Sequence, residues 1–289
     1  MRRFSYVSFK AGILKKTMKK ILAVKHLKVF PINEPNRHLV HDVSFDLYPG
    51  RTTCIVGESG SGKSLTALSI MKLLSSQLKE TGDIVFEGQN IAHLSSTAMR
   101  QYRGKSMAMI FQEPMTSLNP VISVGDQIKE ALKVHLDIDK KSLNKKAASL
   151  LKEVGIAEDR LSSYPDELSG GQRQRIMIAM SIACEPSILI ADEPTTALDV
   201  TVQAQILKLL QNLKEKRHMA MLFITHDFGV VEEIADDVIV MYRGQIVEKG
   251  SVKEVLKRPK HVYTKALLNC VPDAKGIKKL NPIQHRAFI

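Results

Sequence analysis

The sequence predicts an α/β fold: a P-loop nucleotide-binding core of parallel strands, with an inserted α-helical subdomain and an antiparallel β edge. Three observations lead to this prediction. The string GESGSGKS (57–64) stands between a short apolar strand and a helical pattern. Apolar strands alternate with helical segments over the second half of the chain, as in sheets whose strands run parallel. Between these two parts the apolar spacing is helical, which interrupts the alternation.

The first part of the chain is expected to form strands on either side of the P-loop. Strand-like segments precede the loop at ILAVKHLKVF (21–30), LVHDVSFDL (39–47) and TTCIVG (52–57). The first two flank PINEPNR, whose prolines and asparagines mark a turn. The segments expected after the loop are a helix from Leu65 to Leu74 and strands at DIVFEG (83–88) and MAMIF (107–111).

The middle of the chain is expected to be helical, and the second half is expected to alternate between strands and helices. Two helices are predicted at SVGDQIKEALKV (123–134), with Ser123 as the N-cap, and at SLNKKAASLLKEV (142–154). The later elements are SILIA (187–191), a helix over 200–217, AMLFIT (220–225), a helix after His226, VIVMY (238–242) and, past a turn at Arg243-Gly244, QIVEK (245–249). We therefore expect a helical insertion from about 95 to 165 within a domain that spans 21–250.

The two ends of the chain carry its basic charge. The net charge is +12, yet residues 1–28 hold nine Lys/Arg and no acid, and residues 251–289 hold nine against two acids. The body between them is slightly acidic, which disfavours a nucleic-acid-binding enzyme, since such proteins place a basic stripe on the folded body. Residues 1–20 are expected to be a basic N-terminal extension. Met18 resembles a natural start, so residues 1–17 are expected to be either disordered or not translated. Residues 251–289 are expected to be a short C-terminal extension.

The cysteines and the hydropathy exclude several classes. Cys54, Cys184 and Cys270 are far apart and form no CxxC pair, so we expect neither a zinc site nor an iron–sulfur cluster, which normally takes four thiolates. The chain contains no run of about 18 apolar residues, the length that a membrane-spanning helix needs. We expect a protein that is soluble or peripheral to a membrane.

The P-loop predicts ATP and Mg²⁺ as ligands. The glycines Gly57, Gly60 and Gly62 let successive backbone N–H groups point at phosphate oxygens, and the helix that follows adds its positive N-terminal dipole. Lys63 is expected to reach the β- and γ-phosphates, and the Ser64 hydroxyl to bind Mg²⁺. The remaining loop residues expected to contact the nucleotide are Glu58, Ser59 and Ser61.

An acidic pair is expected to complete the chemistry. Asp192 ends the apolar strand SILIA, so its carboxylate emerges at the carboxyl edge of the sheet, where it can hold Mg²⁺. Glu193 is placed to polarise a water molecule aimed at the γ-phosphate. His226 follows the strand AMLFIT and is expected at the same edge. Gln112 follows the strand MAMIF, and the residues around it indicate a place in the site more weakly.

A second glycine-rich motif predicts a paired subunit. Ser169, Gly170, Gly171 and Gln172 follow Leu168 and begin a helix, which makes another anion-binding helix start. One chain binds one γ-phosphate, so two phosphate-seeking helix starts indicate that two subunits pair head to tail, each closing the nucleotide of the other.

Taken in order, these motifs resemble those of the ATP-binding subunits of ABC transporters, from about residue 20 onward. The resemblance implies a RecA-like core, with the P-loop as Walker A, ILIADE as Walker B and Glu193 as catalytic glutamate. It also implies that LSGGQ is the ABC signature, Gln112 the Q-loop glutamine and metal ligand, and His226 the switch histidine. Asp199 in ALD corresponds to the D-loop aspartate. Phe30 is the candidate adenine-stacking aromatic, with Tyr48 and Phe45 as alternatives.

A finer resemblance connects the chain to one branch of bacterial importers. FQEPMTSLNP, YPDELSGGQRQR, ADEPTTALDVTVQAQIL and HVYTKALLNCVP resemble the oligopeptide/dipeptide/nickel branch. That branch implies a second, different ATP-binding subunit, two membrane permeases and an extracytoplasmic solute-binding protein, with this chain peripheral on the cytoplasmic face. Peptides are the expected cargo, with nickel or a metal–metallophore complex as the alternative. A soluble ABC ATPase that acts on nucleic acid is the rival from another class.

Overall fold

The structure is a computed structural model that describes residues 19–112, 117–196 and 198–270. Most of the expected N-terminal extension (1–18) and the last part of the C-terminal extension (271–289) lie outside the described residues, as do 113–116 of the FQEPMTSLNP segment. The described chain contains ten strands, and helices are interspersed among them. The strands are β1 (Leu22–Pro31), β2 (Val40–Leu47), β3 (Thr52–Val56), β4 (Leu78–Phe86), β5 (Gln89–Asn90), β6 (Met107–Ile110), β7 (Ile188–Asp192), β8 (Ala220–Thr225), β9 (Asp237–Tyr242) and β10 (Gln245–Ser251).

The larger sheet is the predicted parallel core. Its strand order is β10-β9-β3-β8-β7-β6, and every neighbouring pair is parallel except β9 with β10. Strands β3, β6, β7, β8 and β9 are buried along their whole length, because helices or the second sheet cover both faces of a parallel sheet. This burial explains why their sequences are almost wholly apolar.

The smaller sheet is the predicted antiparallel edge. Its order is β2-β1-β4-β5, and all of its pairs are antiparallel. The segment PINEPNR connects β1 to β2, as predicted. Side chains from this sheet, such as Leu22 and Phe86, share one apolar cluster with Ile55 and Ile224 of the core sheet, so the two sheets are packed together.

Nine helices complete the described part of the chain. They are α1 (Lys63–Ile70), α2 (Ser96–Met99), α3 (Val124–Lys133), α4 (Lys140–Glu153), α5 (Gly170–Ser181), α6 (Val200–Arg217), α7 (Phe228–Ile234), α8 (Val252–Lys257) and α9 (Val262–Asn269). Ser123 caps α3 as predicted, since its Oγ accepts a hydrogen bond from the Asp126 N–H at 3.2 Å. No helix in these ranges is both long enough and apolar enough to cross a membrane.

Among the boundaries that differ from the sequence prediction are those of the first helix and of the helical insertion. Helix α1 begins at Lys63 and ends at Ile70, four residues before Leu74, because Lys72 takes a left-handed backbone conformation with φ of 52°. The expected helical insertion, from about 95 to 165, contains β6, which pairs with β7 in the core sheet. The continuous helical part therefore follows β6 and consists of α3, α4 and two short 3₁₀ helices, Glu158–Ser162 and Pro165–Glu167.

Candidate active site

The P-loop connects β3 to α1 at the carboxyl edge of the core sheet, and close packing requires its glycines. A Cβ at Gly57 would lie 2.2 Å from the carbonyl oxygen of Met241, at the end of β9. Gly62 caps α1 with φ of 99°, and a Cβ there would lie 3.2 Å from the Leu39 carbonyl oxygen. The loop is thus held between β9 and the start of β2, while Ser59 and Gly60 are exposed at its tip.

Lys63 lies inside the loop. Its side chain is buried, and Nζ donates hydrogen bonds to the carbonyl oxygens of Gly57 at 2.8 Å and Glu58 at 2.9 Å. Burial lowers the pKa of the Lys63 ammonium, while nearby carboxylates, Glu193 most strongly, oppose that shift. The loop therefore holds a desolvated positive charge at its centre, which suits a phosphate group.

A buried hydroxyl in the loop lacks a partner. Ser61 Oγ is buried and has no hydrogen-bond partner among the described residues. Burying a polar atom without a partner is unfavourable, so such atoms in folded proteins indicate a missing ligand or water. The phosphate oxygens of ATP would supply an acceptor here, and the residues present therefore fit a nucleotide.

The Ser64 hydroxyl and Asp192 meet across the site. Ser64 Oγ donates to Asp192 Oδ1 at 3.1 Å, although the two residues are 128 positions apart. Burial raises the pKa of the Asp192 carboxyl, and the hydrogen bond from Ser64 opposes this rise. Adjacent oxygen ligands suit Mg²⁺, which takes one or two protein oxygens together with substrate phosphates. Among the described residues no group of three or more His, Cys, Asp and Glu side chains is placed to bind a metal.

Glu193 is the centre of a polar cluster. Oε2 of its carboxylate lies 3.2 Å from Nε2 of Gln112 and 3.3 Å from Nδ1 of His226. Its backbone is left-handed, with φ of 47°, and its N–H donates to the Ile224 carbonyl of β8 at 3.0 Å. The structure thus brings Glu193, Gln112 and His226 together, as the sequence predicted for the strand ends. Gln112, also expected as a metal ligand, bonds here to Glu193.

Thr196 was missed by the sequence analysis. Its Oγ1 donates to the same Glu193 Oε2 at 2.9 Å, so three groups converge on one carboxylate oxygen. Thr196 follows the acidic pair closely in EPTT, but only the turn after β7 brings its hydroxyl to the carboxylate, and no local sequence pattern indicates that turn.

The glycine-rich motif forms a capped helix start. Ser169 Oγ accepts from the Gln172 N–H at 3.3 Å, and Gln172 Oε1 accepts from the Ser169 N–H at 2.9 Å, which makes a capping box. Ser169 and Gly170 are exposed, and a Cβ at Gly171 would lie 2.7 Å from a Val202 methyl group on α6. Helix α5 packs against α3, α4, α6 and β6, whereas α1 packs against β1 and β7. The two helix starts therefore belong to different parts of the subunit.

Asp199 lies at the start of α6, and Phe30 lies near the end of β1. Asp199 is exposed and caps α6, accepting the Val202 N–H at 2.9 Å. The Phe30 ring, at the end of β1, is 5.6 Å from the ring of His38, which directly precedes Leu39 beside the P-loop. Of the alternatives, Phe45 is buried in the core, and Tyr48 lines a separate pocket with Asp237 and Lys249.

The three cysteines are dispersed in the structure as in the sequence. Cys54 is buried in β3, where burial strongly raises the pKa of its thiol, and Cys184 and Cys270 are partly exposed. Among the described residues, none of the three forms a disulfide.

Comparison with known sequences identifies two matching regions. Residues 40–196, more than half of the chain, match the family described as ABC transporter. Residues 247–287 match the family described as oligopeptide/dipeptide transporter, C-terminal region. The second region contains α8 and α9 and the part of the C-terminal extension that the structure describes.

Individual relatives cover most of the chain. A probable peptide ABC transporter ATP-binding protein of Sinorhizobium fredii is 54% identical over 237 residues, which are 81% of this chain and 71% of that protein. The dipeptide transport ATP-binding protein DppD of Bacillus subtilis is 50% identical, over 92% of this chain and 81% of that protein. Among solved structures, the ATP-binding cassette MJ0796, a dimer bound to ADP and Pi, superimposes with a TM-score of 0.71 at 25% identity. That superposition covers 80% of this chain and 98% of the cassette.

Proposed function

Since the chain belongs to the ATP-binding proteins of ABC transporters, we propose that it is the motor subunit of an importer that couples ATP hydrolysis to peptide uptake. As a member of this family the chain is an ATPase. The observation that best supports the proposal is the meeting of Lys63, Ser64, Asp192 and Glu193 at one sheet edge. The acidic pair and the P-loop are separated by more than a hundred residues, and their side chains nevertheless form one site.

ATP would be held mainly by the P-loop. The backbone of residues 57–62 would surround the β- and γ-phosphates, and the Lys63 ammonium would exchange its two loop carbonyls for phosphate oxygens. Ser64 and Asp192 would hold Mg²⁺, which neutralises charge on the phosphates when bound. Phe30 would stack on the adenine, with His38 against its ring.

Glu193 would act as the general base. A carboxylate held at a strand end can accept a proton from water that attacks the γ-phosphate. Thr196, Gln112 and His226 all approach Oε2, so they would fix the orientation of the carboxylate and leave its other oxygen, Oε1, for the water. The cluster would thus set the position of the base before the nucleotide arrives.

A second ATP-binding subunit would complete the site. The exposed helix start at Ser169 to Gln172 would approach the γ-phosphate of a partner subunit, and the exposed Asp199 would face the same interface. The dimeric state of the cassette MJ0796 supports this arrangement. A different subunit as partner follows from the resemblance to the oligopeptide/dipeptide branch.

An ABC transporter subunit acts on membrane permeases, and exposed apolar side chains suit such a contact. Three exposed apolar side chains, Phe111, Val121 and Tyr164, lie on the segments that flank the helical part. Phe111 directly precedes Gln112, and the Val124 N–H donates to the Ser163 carbonyl at 2.9 Å, which joins the other two segments. We propose two permeases, an extracytoplasmic solute-binding protein and a peripheral position on the cytoplasmic face of the membrane.

Peptides are the proposed cargo. The names of the relatives described above, and the match to the oligopeptide/dipeptide C-terminal region, favour peptides over nickel or a metallophore. The same C-terminal match favours a transporter over a soluble ATPase that acts on nucleic acid.

The decisive experiment reconstitutes the chain with its partner ATPase, permeases and binding protein in liposomes. We expect ATP-dependent uptake of short peptides, and loss of that uptake when the complex carries Glu193→Gln. Glu215→Gln, the same change on an exposed face of α6, is the matched control. Uptake of nickel without uptake of peptide would contradict the assignment of peptides as cargo. Failure of the isolated subunit to bind ATP would contradict the motor role.

A further inference from the structure

A tyrosine of the C-terminal extension touches the P-loop. Tyr263 lies in the first turn of α9, inside the region that matches the oligopeptide/dipeptide transporter C-terminal family. Its side chain is fully buried, and its hydroxyl accepts a hydrogen bond from the Glu58 N–H at 3.3 Å. The two residues are 205 positions apart, so this contact connects the end of the described chain to the start of the ATP site.

The contact acts on a peptide group that Lys63 also uses. That group joins Gly57 to Glu58, and its carbonyl oxygen, that of Gly57, accepts from Lys63 Nζ at 2.8 Å. The next carbonyl oxygen, that of Glu58, accepts from Lys63 Nζ at 2.9 Å and from the Ser61 N–H at 3.2 Å. Glu58 is therefore held on both sides, with its N–H on the tyrosine hydroxyl and its carbonyl on the loop lysine. Rotation of the Gly57–Glu58 peptide group would displace the Gly57 carbonyl that accepts from Lys63.

The tyrosine ring is fixed by its surroundings. It stacks on Tyr242 at the end of β9, with ring centroids 4.2 Å apart and planes inclined by 36°. The Arg243 guanidinium lies 5.2 Å from the centre of the Tyr242 ring, and the Gly244 N–H donates to the Ser61 carbonyl at 3.0 Å. The loop, the β9–β10 turn and α9 thus form one packed unit.

The extension is also anchored to the core sheet. Glu248 of β10 accepts hydrogen bonds from the backbone N–H groups of Lys260 and His261, at 2.8 Å and 3.0 Å, just before α9 begins. Burial raises the pKa of the Tyr263 hydroxyl, and the neighbouring Glu58 carboxylate acts in the same direction. The hydroxyl therefore stays protonated at physiological pH and keeps its geometry.

We propose that Tyr263 is a positioning residue for the P-loop, through which the C-terminal extension sets the affinity of the subunit for ATP. The hydroxyl contacts the loop backbone and not the nucleotide. By holding the Gly57–Glu58 peptide group, it fixes the loop carbonyls that keep the Lys63 ammonium at the centre of the loop until phosphate oxygens replace them. The inference rests on the proposed function of the loop and assigns a role to a region outside it.

The test removes only the hydroxyl. Tyr263→Phe keeps the ring and its packing on Tyr242, and Tyr102→Phe is the matched control, because that hydroxyl bonds to Gln89 Oε1 at 2.8 Å on the surface. ATP binding to the isolated full-length subunit is measured directly, well below the unfolding temperature. We expect Tyr263→Phe to bind ATP about three- to tenfold more weakly, the effect of one lost hydrogen bond, and Tyr102→Phe to bind as the wild type does.

Two further measurements separate positioning from general stability. In the assembled ATPase, Tyr263→Phe should raise KM for ATP by a similar factor and leave kcat within about twofold, since the loss lies in binding. A merely structural tyrosine would lower the melting temperature without changing the affinity of the folded protein. In the wild type, hydrogen exchange should show a protected Glu58 amide, and free exchange there would overturn the proposal.

The outcomes distinguish this inference from the proposed function. If the wild type binds ATP and Tyr263→Phe binds it equally well, the positioning role is wrong and the motor function stands. If the wild type itself binds no ATP, both the proposed function and this inference are wrong.

Discussion

Nδ1 of His226 lies 3.3 Å from Oε2 of Glu193, and this contact joins the carboxyl ends of two neighbouring parallel strands. Glu193 follows β7 directly, and His226 follows β8. Parallel strands bring their carboxyl ends to one edge, so residues 33 positions apart meet there without a special loop. The histidine can therefore orient the carboxylate that we propose as general base.

The first prediction concerns this histidine. His226→Ala should lower kcat of the assembled ATPase by about tenfold or more, because the base loses one of the groups that orient it, while ATP affinity changes little. Steady-state ATPase rates and direct binding measure the two effects. His93→Ala, an exposed histidine outside the site, is the control. A loss of affinity with unchanged kcat would contradict the assigned role.

The second prediction concerns the base itself. Glu193→Gln should retain ATP binding and lose at least about 100-fold in turnover, since an amide cannot accept the proton while the binding groups stay in place. The change must be made in both sites of the assembled transporter, and single-turnover hydrolysis is the measurement. A near wild-type rate would mean that Glu193 is not the base.

The third prediction concerns Lys63. Lys63→Ala should weaken ATP binding about 10- to 100-fold, the usual effect of losing a charge-assisted hydrogen bond from a desolvated group. Direct binding of a fluorescent ATP analogue measures it, and Lys253→Ala on the exposed face of α8 provides the control. Unchanged affinity would contradict the phosphate role of the loop.

These site residues were predictable because each stands beside a local pattern. The P-loop string, the strand SILIA before Asp192 and the strand AMLFIT before His226 all define a strand end, and a parallel sheet gathers strand ends. Contacts that no local sequence pattern marks were not predicted. Thr196 reaches Glu193 only through the turn after β7, and Tyr263 reaches Glu58 across 205 positions.

In the fold, too, the elements marked by a local pattern were predicted and the long-range pairing was not. The hydrophobic pattern predicted α6 over 200–217 and β8 over 220–225, the bounds that the structure has. It predicted the strand MAMIF but included it in the range 95–165 of the helical insertion, because the sequence of a four-residue apolar strand does not indicate which strand it pairs with. Membership in the core sheet depends on the long-range pairing of Met107 with Ile188, which no local pattern encodes.

The fourth prediction is a pH dependence of stability. Glu153, the last residue of α4, accepts hydrogen bonds from Arg217 at 2.7 Å and Lys216 at 2.9 Å at the end of α6. Burial alone would raise the pKa of the Glu153 carboxyl, but these bonds outweigh it and lower the pKa below its ordinary 4.5. The stabilisation is therefore present above pH 4.5 and is lost as the pH falls through the folded-state pKa.

Glu153→Gln tests this dependence. The free energy of unfolding should fall by about 1 kcal/mol at pH 7, and the difference from the wild type should shrink as the solution is acidified below pH 4.5. Urea denaturation across that range measures it. Glu232→Gln, on the exposed surface of α7, should show no such trend. A constant difference at all pH values would mean that the ion pair does not stabilise the contact between α4 and α6.

The last prediction concerns the paired site. Ser169→Arg should leave ATP binding by the isolated subunit nearly unchanged, because α5 packs away from the helix that carries Lys63. The same change should block the ATP-bound dimer, since a bulky side chain would occupy the place where Ser169 approaches the γ-phosphate of the partner. The Glu193→Gln background is the best one for this test, because ATP then persists and the closed dimer accumulates.

Ser251→Arg is the matched control, because Ser251 also caps a helix through a capping box. Its Oγ accepts a hydrogen bond from the Glu254 N–H at 3.3 Å, the same distance at which Ser169 Oγ accepts from the Gln172 N–H. Both variants lose a helix cap, which is worth about 1 kcal/mol, and gain the same side chain. Only Ser169→Arg should abolish the dimer in size-exclusion chromatography with ATP, with the partner ATPase co-expressed. If Ser169→Arg still forms the ATP-dependent dimer at wild-type affinity, the signature helix does not act across the subunit interface.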